Sequence, residues 1–231
     1  DVDCATDTTS EKSNDQIEVA AATAQNQENP DTNHDRIKEV STLVVAAAMN
    51  YNLKHYERFI LSLRKHYPGD VILFSDDPAH PDIVNLCIQN RVMLKSVLFQ
   101  GPILFERHTA YAQECTKYDW CFTTDFRDVF FQSSPFQVLL YSDHHFYQKY
   151  DLILSQERLD MKIVNEQPLN EIISKCFGQS ILNEIGNNIS ISASTMLGTG
   201  KAIRDFVTKS LTIGSDSDIV KSEFECSDQG D

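Results

Sequence analysis

The sequence predicts an α/β domain with a mainly parallel sheet and helices on both faces. Three observations lead there. From Thr42 onward short apolar runs alternate with stretches of helical periodicity, the connections are long enough to be helical crossovers, and the first run is apolar throughout, as a strand covered on both faces must be.

Taken in order, Leu43 to Met49 is the first strand, since Leu-Val-Val-Ala-Ala-Ala-Met contains no polar residue. Asn50-Tyr51-Asn52 is its turn. Leu53 to Tyr67 places Tyr56, Phe59, Ile60, Leu63 and Tyr67 on one helical face, and Pro68-Gly69 stops it. Asp70 to Asp77 reads as a second strand with an acidic exit. A helix over Asp82 to Gln89 and a third strand over Val92 to Phe99 follow. Gly101-Pro102 breaks the pattern before a helix from Leu104 to Thr116. Trp120 to Thr124, aromatic and β-branched, is the fourth strand. After Pro135 the rhythm loosens: a short helix over Phe136 to Leu140, a strand over Asp151 to Ser155, a helical region from Leu169 to Glu184, a small-residue strand from Ile189 to Gly198, and a helix from Ala202 to Leu211.

Residues 1 to 40 differ in kind. They are rich in Asp, Glu, Asn, Gln, Ser and Thr, and bury too little apolar surface to offset chain entropy. They are expected to be a disordered acidic and polar tail or stem, with residues 41 to 231 forming the domain. The chain opens on Asp1 without a signal stretch, and the expectation is a fragment or processed form whose own start, with any anchor encoded there, has been removed.

A 41% hydrophobic content supplies a core, while a net charge of −14 argues against nucleic acid or an anionic membrane as the main partner. Any anionic ligand needs a local basic or metal-containing pocket. The six cysteines form no Cys-x-x-Cys pair, which leaves a zinc ribbon unsupported. Cys87, Cys115 and Cys121 fall in apolar patterns and are read as buried free thiols, with pairing in an oxidising compartment as the alternative. Asn188-Ile189-Ser190 is a glycosylation acceptor triplet if the chain is lumenal or secreted.

Ligands of open α/β sheets bind at the carboxyl ends of the strands, and here those ends carry Asn50, Asp76, Asp77, Asp125, Arg127 and Asp128. The weight falls on Asp125-Phe126-Arg127-Asp128: two carboxylates and a guanidinium between an apolar strand and Val129-Phe130-Phe131, a second apolar run, are costly to desolvate unless opposite charge meets them. A divalent cation with a phosphate ester would do so. A structural salt bridge of Arg127 with Asp125 or Asp128 is the competing reading. Asp76 and Asp77, before Pro78, also suit a turn. His144-His145 reads as a solvated loop, and His108 as a half-buried surface residue. No Gly-x-Gly-x-x-Gly, P-loop or Gly-x-Ser-x-Gly pattern is present.

Thr124 to Gln132, preceded by Tyr118-Asp119-Trp120 and followed by Pro135-Phe136, resembles the Asp-x-Asp region of GT-A nucleotide-sugar glycosyltransferases, in a variant reading Asp-x-Arg-Asp-x-x-Phe-Gln. Arg107 with Tyr111, the strand from Ser192 to Thr199, and Asp228-Gln229 are similar to further places in that family. The resemblance implies a GT-A (Rossmann-like) fold cut short at its C-terminal end. It also implies transfer of a sugar from a nucleoside-diphosphate sugar to a hydroxyl of a glycan, protein or small molecule, assisted by Mn²⁺ or Mg²⁺. On it, Asp125 and Asp128 would meet the metal, and Asn50, Asp76, Arg107, Asp125, Arg127 and Ser194 the nucleotide sugar. Asp228 and Gln229 would be catalytic or hold sugar hydroxyls. Two departures matter: Arg127 occupies the place of the second carboxylate, and Ser194 stands where many relatives have Gly. The resemblance implies the Golgi or endoplasmic reticulum lumen, with no contact with membrane except through the lost anchor. A degenerate domain that binds nucleotide or a protein partner without turnover is the alternative. A phosphohydrolase with Asp125 as nucleophile ranks last, because that chemistry expects its carboxylates at the first strand.

Overall fold

The computed structural model describes residues 40–99, 103–141, 150–167 and 169–216. Its centre is β1 (Thr42–Ala48), buried along nearly its whole length as its apolar run requires. Parallel β2 (Asp70–Ser75) lies on one side and parallel β4 (Trp120–Thr124) on the other. Beyond β2 comes β3 (Met93–Ser96), also parallel. Beyond β4, β6 (Ile191–Thr199) runs antiparallel, and β5 (Leu152–Gln156) pairs antiparallel with β6 at the far edge. The sheet order is β3-β2-β1-β4-β6-β5, mainly parallel as expected.

Two buried layers flank it. Side chains of one parity in β1, Val44, Ala46 and Ala48, pack with Tyr56, Phe59, Ile60 and Leu63 of α1 (Leu53–Arg64) and with Ile83 and Cys87 of α2 (Pro81–Gln89). The alternate set, Leu43, Val45 and Ala47, packs with Tyr111, Ala112 and Cys115 of α3 (Ile103–Cys115) and with Ile203 and Val207 of the last helix. This alternation is the strand period expressed as two cores.

The remaining elements are α4 (Gln137–Tyr141), a 3₁₀ turn (Ile163–Asn165), α5 (Leu169–Phe177), α6 (Gln179–Ile185) and α7 (Gly200–Asp216). The single helical region expected over Leu169 to Glu184 is two helices, because Gly178 between them takes φ 87°, a left-handed conformation that ends a helix. β3 is shorter than its apolar run, as an edge strand with one hydrogen-bonded neighbour can be. α1 stops at Arg64, whose guanidinium donates to the carbonyls of Tyr67, Gly69, Asn90 and Arg91 and so fixes the turn after the helix.

One expectation is overturned. Cys115 and Cys121 are not free thiols but a disulfide, while Cys87 is free and buried. Read as members of separate elements, the two seemed unrelated. The tight turn from α3 into β4 brings their Cα atoms to 5.5 Å, within disulfide reach. Cys176 is also disulfide-bonded. Among the described residues no helix is long and apolar enough to cross a membrane.

Candidate functional site

From β1 the chain winds outward through β2 and β3, then α3 returns it across the opposite face to β4. The carboxyl ends of β1 and β4 therefore flank a topological switch point, where the two connections leave in opposite directions and open a crevice. Asn50 sits just beyond β1 with φ 58°, a left-handed conformation Asn tolerates better than most residues. Its backbone N–H donates to Asp76 Oδ2 at 2.8 Å. Asn50 and Asp76 are thus brought together, with one Asp76 oxygen engaged in holding the β1 exit. Ser75 supports the same corner: its hydroxyl lies 2.8 Å from the Tyr56 hydroxyl and accepts from the Asp77 N–H at 3.2 Å. Burial pushes the Tyr56 phenol up to about 12, so it stays protonated.

Across the crevice, Phe126 is the anchor of the acidic loop. It is buried against Tyr56 and Phe59, both at 4.8 Å between ring centroids, and Tyr51 stacks on it at 5.6 Å. Phe131 packs edge-on against Phe59, and its N–H donates to the buried Ser62 hydroxyl. Phe130 is exposed, so the second apolar run is only partly core. Between these two aromatic pins Arg127 and Asp128 are exposed, and neither makes an ion pair or hydrogen bond among the described residues. The salt bridge weighed for Arg127 is absent there.

Asp125 has a different partner. Its Oδ1 accepts from Arg107 Nη1 at 2.9 Å, with the Arg107 side chain 14% exposed and that of Asp125 42%. Beside this pair on α3, Arg107 Nε and His108 Nδ1 are buried without a hydrogen-bond partner among the described residues, as is His55 Nδ1 on α1; the Tyr111 hydroxyl is buried against the Ala47 backbone. His55 faces Tyr51, which stacks on Phe126 beside Asp125, while Arg107, His108 and Tyr111 occupy adjacent turns of α3. An orphaned buried polar atom costs about 1–3 kcal/mol, so such atoms beside an ion pair are a poor arrangement for stability alone. They suit a polar ligand that supplies the missing partners.

The electrostatics agree. Burial, and then the neighbouring Arg107 charge, hold His108 down at about 4 against a weaker opposing pull from Asp125, so its imidazole is neutral at pH 7. Burial raises the Tyr111 phenol far above its ordinary range.

Ser194 is buried; its carbonyl accepts from the Thr123 hydroxyl at 3.2 Å and its hydroxyl lies 3.1 Å from that of Ser192. The β4–β6 register, carried two residues past Thr123↔Met196, sets it level with Asp125. Asn50, Asp76, Arg107, Asp125, Arg127, Asp128 and Ser194 thus share one end of the sheet. Asp228, Gln229 and the His144-His145 pair lie outside the described residues. Sequence reasoning passed over Tyr51 and His55 and set His108 aside; their adjacency to Asn50 and Arg107 was the available signal.

No family model matches this sequence, and no curated protein matches it. Among solved structures the chain is similar to the apo form of the glycosyltransferase GlyE of Streptococcus pneumoniae TIGR4, with 15% identity and a TM-score of 0.48 over 81% of this chain and 42% of that one. It is similar to glucosyl-3-phosphoglycerate synthase of Mycobacterium tuberculosis in complex with phosphoglyceric acid, at 14% identity and 0.43 over 71% and 58%. A third is 4-diphosphocytidyl-2C-methyl-D-erythritol synthase of Anaerococcus prevotii, at 13% and 0.43 over 82% and 79%. The chain spans less than two thirds of the length of the first of these. At such identities and scores the likeness carries no residue roles, which rest on the geometry above.

The donor set can also be tested against a divalent cation. Among the described residues no group of three His, Cys, Asp or Glu side chains could hold one. Asp125 and Asp128 supply two carboxylates on one loop, which fits the way Mg²⁺ and similar ions are held by one or two carboxylates plus substrate phosphates and water.

Proposed function

We propose that this chain is a glycosyltransferase domain of the GT-A type, moving a sugar from a nucleoside-diphosphate sugar to an acceptor hydroxyl with Mn²⁺ or Mg²⁺. The observation that carries the reading is the Arg107–Asp125 pair at the β1/β4 switch point, with the unpartnered buried Arg107 Nε and His108 Nδ1 beside it and the charges of Arg127 and Asp128 following on the same loop. An acidic chain that binds an anion needs such a concentration of donors.

Each residue then has a task. Tyr51, on the Phe126 platform, offers a flat aromatic surface, and Asn50 with Asp76 fixes the rim beside it. Arg107 and Arg127 meet diphosphate oxygens, Arg127 as a planar fork where a carboxylate would be usual. Asp125 and Asp128 would hold the divalent cation, which when bound stabilises negative charge on the leaving diphosphate. Neutral His108 and Tyr111 donate or accept without adding charge. Ser194 narrows the acceptor side, and Asp228 and Gln229 are proposed to hold sugar hydroxyls, with Asp228 as a candidate base. Residues 1 to 40 are proposed as a stem. The Cys115–Cys121 disulfide supports a lumenal setting such as the Golgi or endoplasmic reticulum.

The test is a screen of nucleoside-diphosphate sugars, with and without Mn²⁺, scored by thermal shift and by metal-dependent release of nucleoside diphosphate. Activity lost in Asp128→Ala, whose exposed side chain is not needed for folding, is the expected result. If no nucleotide sugar shifts the melting temperature with Mn²⁺ present, the reading fails. A second reading, binding without turnover, is favoured by one observation: Asp125 is already neutralised by Arg107. Donor binding without release or transfer would select it.

A further inference from the structure

We infer that Asn188 is an N-glycosylation site, its side-chain amide carrying an oligosaccharide beside the carboxyl end of the sheet. Two independent observations support this. Asn188-Ile189-Ser190 is the one acceptor triplet in the sequence with a residue other than Pro in the middle. Of the four described cysteines three, Cys115, Cys121 and Cys176, are in disulfides. Such usage belongs to the oxidising compartments where this modification is made. The inference does not depend on the transferase reading.

The local geometry suits it. Asn188 follows α6 in a tight turn whose backbone is fixed at both polar groups: its N–H donates to the Ile185 carbonyl at 2.8 Å and its carbonyl accepts from the Ile163 N–H at 3.1 Å. Ile189 bridges to Lys162, and the Ser190 N–H donates to the Met161 carbonyl. The Asn188 side chain itself is exposed and makes no hydrogen bond among the described residues. A glycan can therefore leave from a rigid base without displacing any contact. On the segments that meet this turn, Leu159 is 74%, Val164 43% and Ile191 52% exposed, apolar area that an attached sugar chain would shield. In the modification the amide nitrogen bonds to the anomeric carbon of a lipid-pyrophosphate-linked oligosaccharide. The anomeric bond to pyrophosphate breaks, and one amide proton leaves as the lipid pyrophosphate departs.

The full chain, expressed behind a cleavable secretory signal in eukaryotic cells, tests this by peptide mass mapping before and after peptide-N-glycosidase. The expected result is one glycosidase-sensitive gel shift, conversion of Asn188 to Asp on release, loss of both in Asn188→Gln and Ser190→Ala, and retention in Ser190→Thr. Non-reducing mapping of the Cys115–Cys121 peptide serves as the folding check. Secreted, disulfide-bonded protein with unmodified Asn188 overturns the proposal, as does recovery with Cys115 and Cys121 as free thiols.

Discussion

Among the described residues Arg107 makes one hydrogen bond, to Asp125, and buries its Nε without a partner. Because Asp125 is partly solvated, removing the guanidinium costs little stability: Arg107→Met should lose about 1 kcal/mol or less in urea unfolding. Its effect on nucleoside-diphosphate binding should be larger, at least about tenfold, since charge-assisted bonds to phosphate are among the strong ones. A large stability loss with unchanged binding would make the pair structural. His108 offers a pH test. Its folded value lies near 4, below the unfolded value near 6.5, so below 6.5 the unfolded chain binds the extra proton. Its contribution is fully present above that pH and is lost as pH falls toward 4. His108→Gln should therefore flatten the acid limb of the stability profile between those pH values, by on the order of 3 kcal/mol. An unchanged profile in urea titrations at several pH values would show that His108 is not protected from protonation.

The Cys115–Cys121 bridge joins the last turn of α3 to the first strand residues of β4. Closing a short loop, it should contribute about 2 kcal/mol through the unfolded chain. A Cys115→Ser, Cys121→Ser variant should melt several degrees lower. Gly200, at the start of α7, sits against this same turn. A Cβ there would stand 2.0 Å from the Cys115 carbonyl oxygen and 2.9 Å from that of Tyr118. Both obstacles are backbone, so Gly200→Ala should cost about 1–3 kcal/mol or fail to fold; an unchanged melting temperature would contradict the close packing. At this scale the sequence was informative where one period dominates. β1 and β4 read correctly because continuous apolar runs admit few alternatives, and α1 because its apolar stripe is regular. The split at Gly178 and the disulfide were missed because each depends on a turn that lies between periodic segments. The acidic loop was legible as charge between apolar runs, but its partner was not. Nothing in the spacing says that Arg107, eighteen residues upstream in another element, meets Asp125 in place of Arg127.

For the molecule as a whole, the absence of a three-ligand cluster among the described residues separates two kinds of metal use. A resident ion would bind alone; one completed by diphosphate oxygens would not. Mn²⁺ alone and a nucleoside diphosphate alone should each leave the melting temperature nearly unchanged, while together, at about a hundredfold excess over the dissociation constant, they should stabilise by about 2.7 kcal/mol. Thermal shift with the four combinations checks this, and a full shift from Mn²⁺ alone would count against the shared site.

The β1–β4 pairing, which sets Thr42 against Trp120, also has a consequence in time. Strands β1, β2 and β3 with α1 and α2 join neighbours in sequence, whereas β4 must find β1 across an intervening 78 residues, the span of the Ser41–Asp119 contact. Loop closure of that length is slow relative to local pairing. The crevice exists only once it has happened. A partly folded chain therefore has a first half of the sheet and no crevice, and on the proposed function recovery of nucleotide binding during refolding becomes a clock for long-range strand pairing.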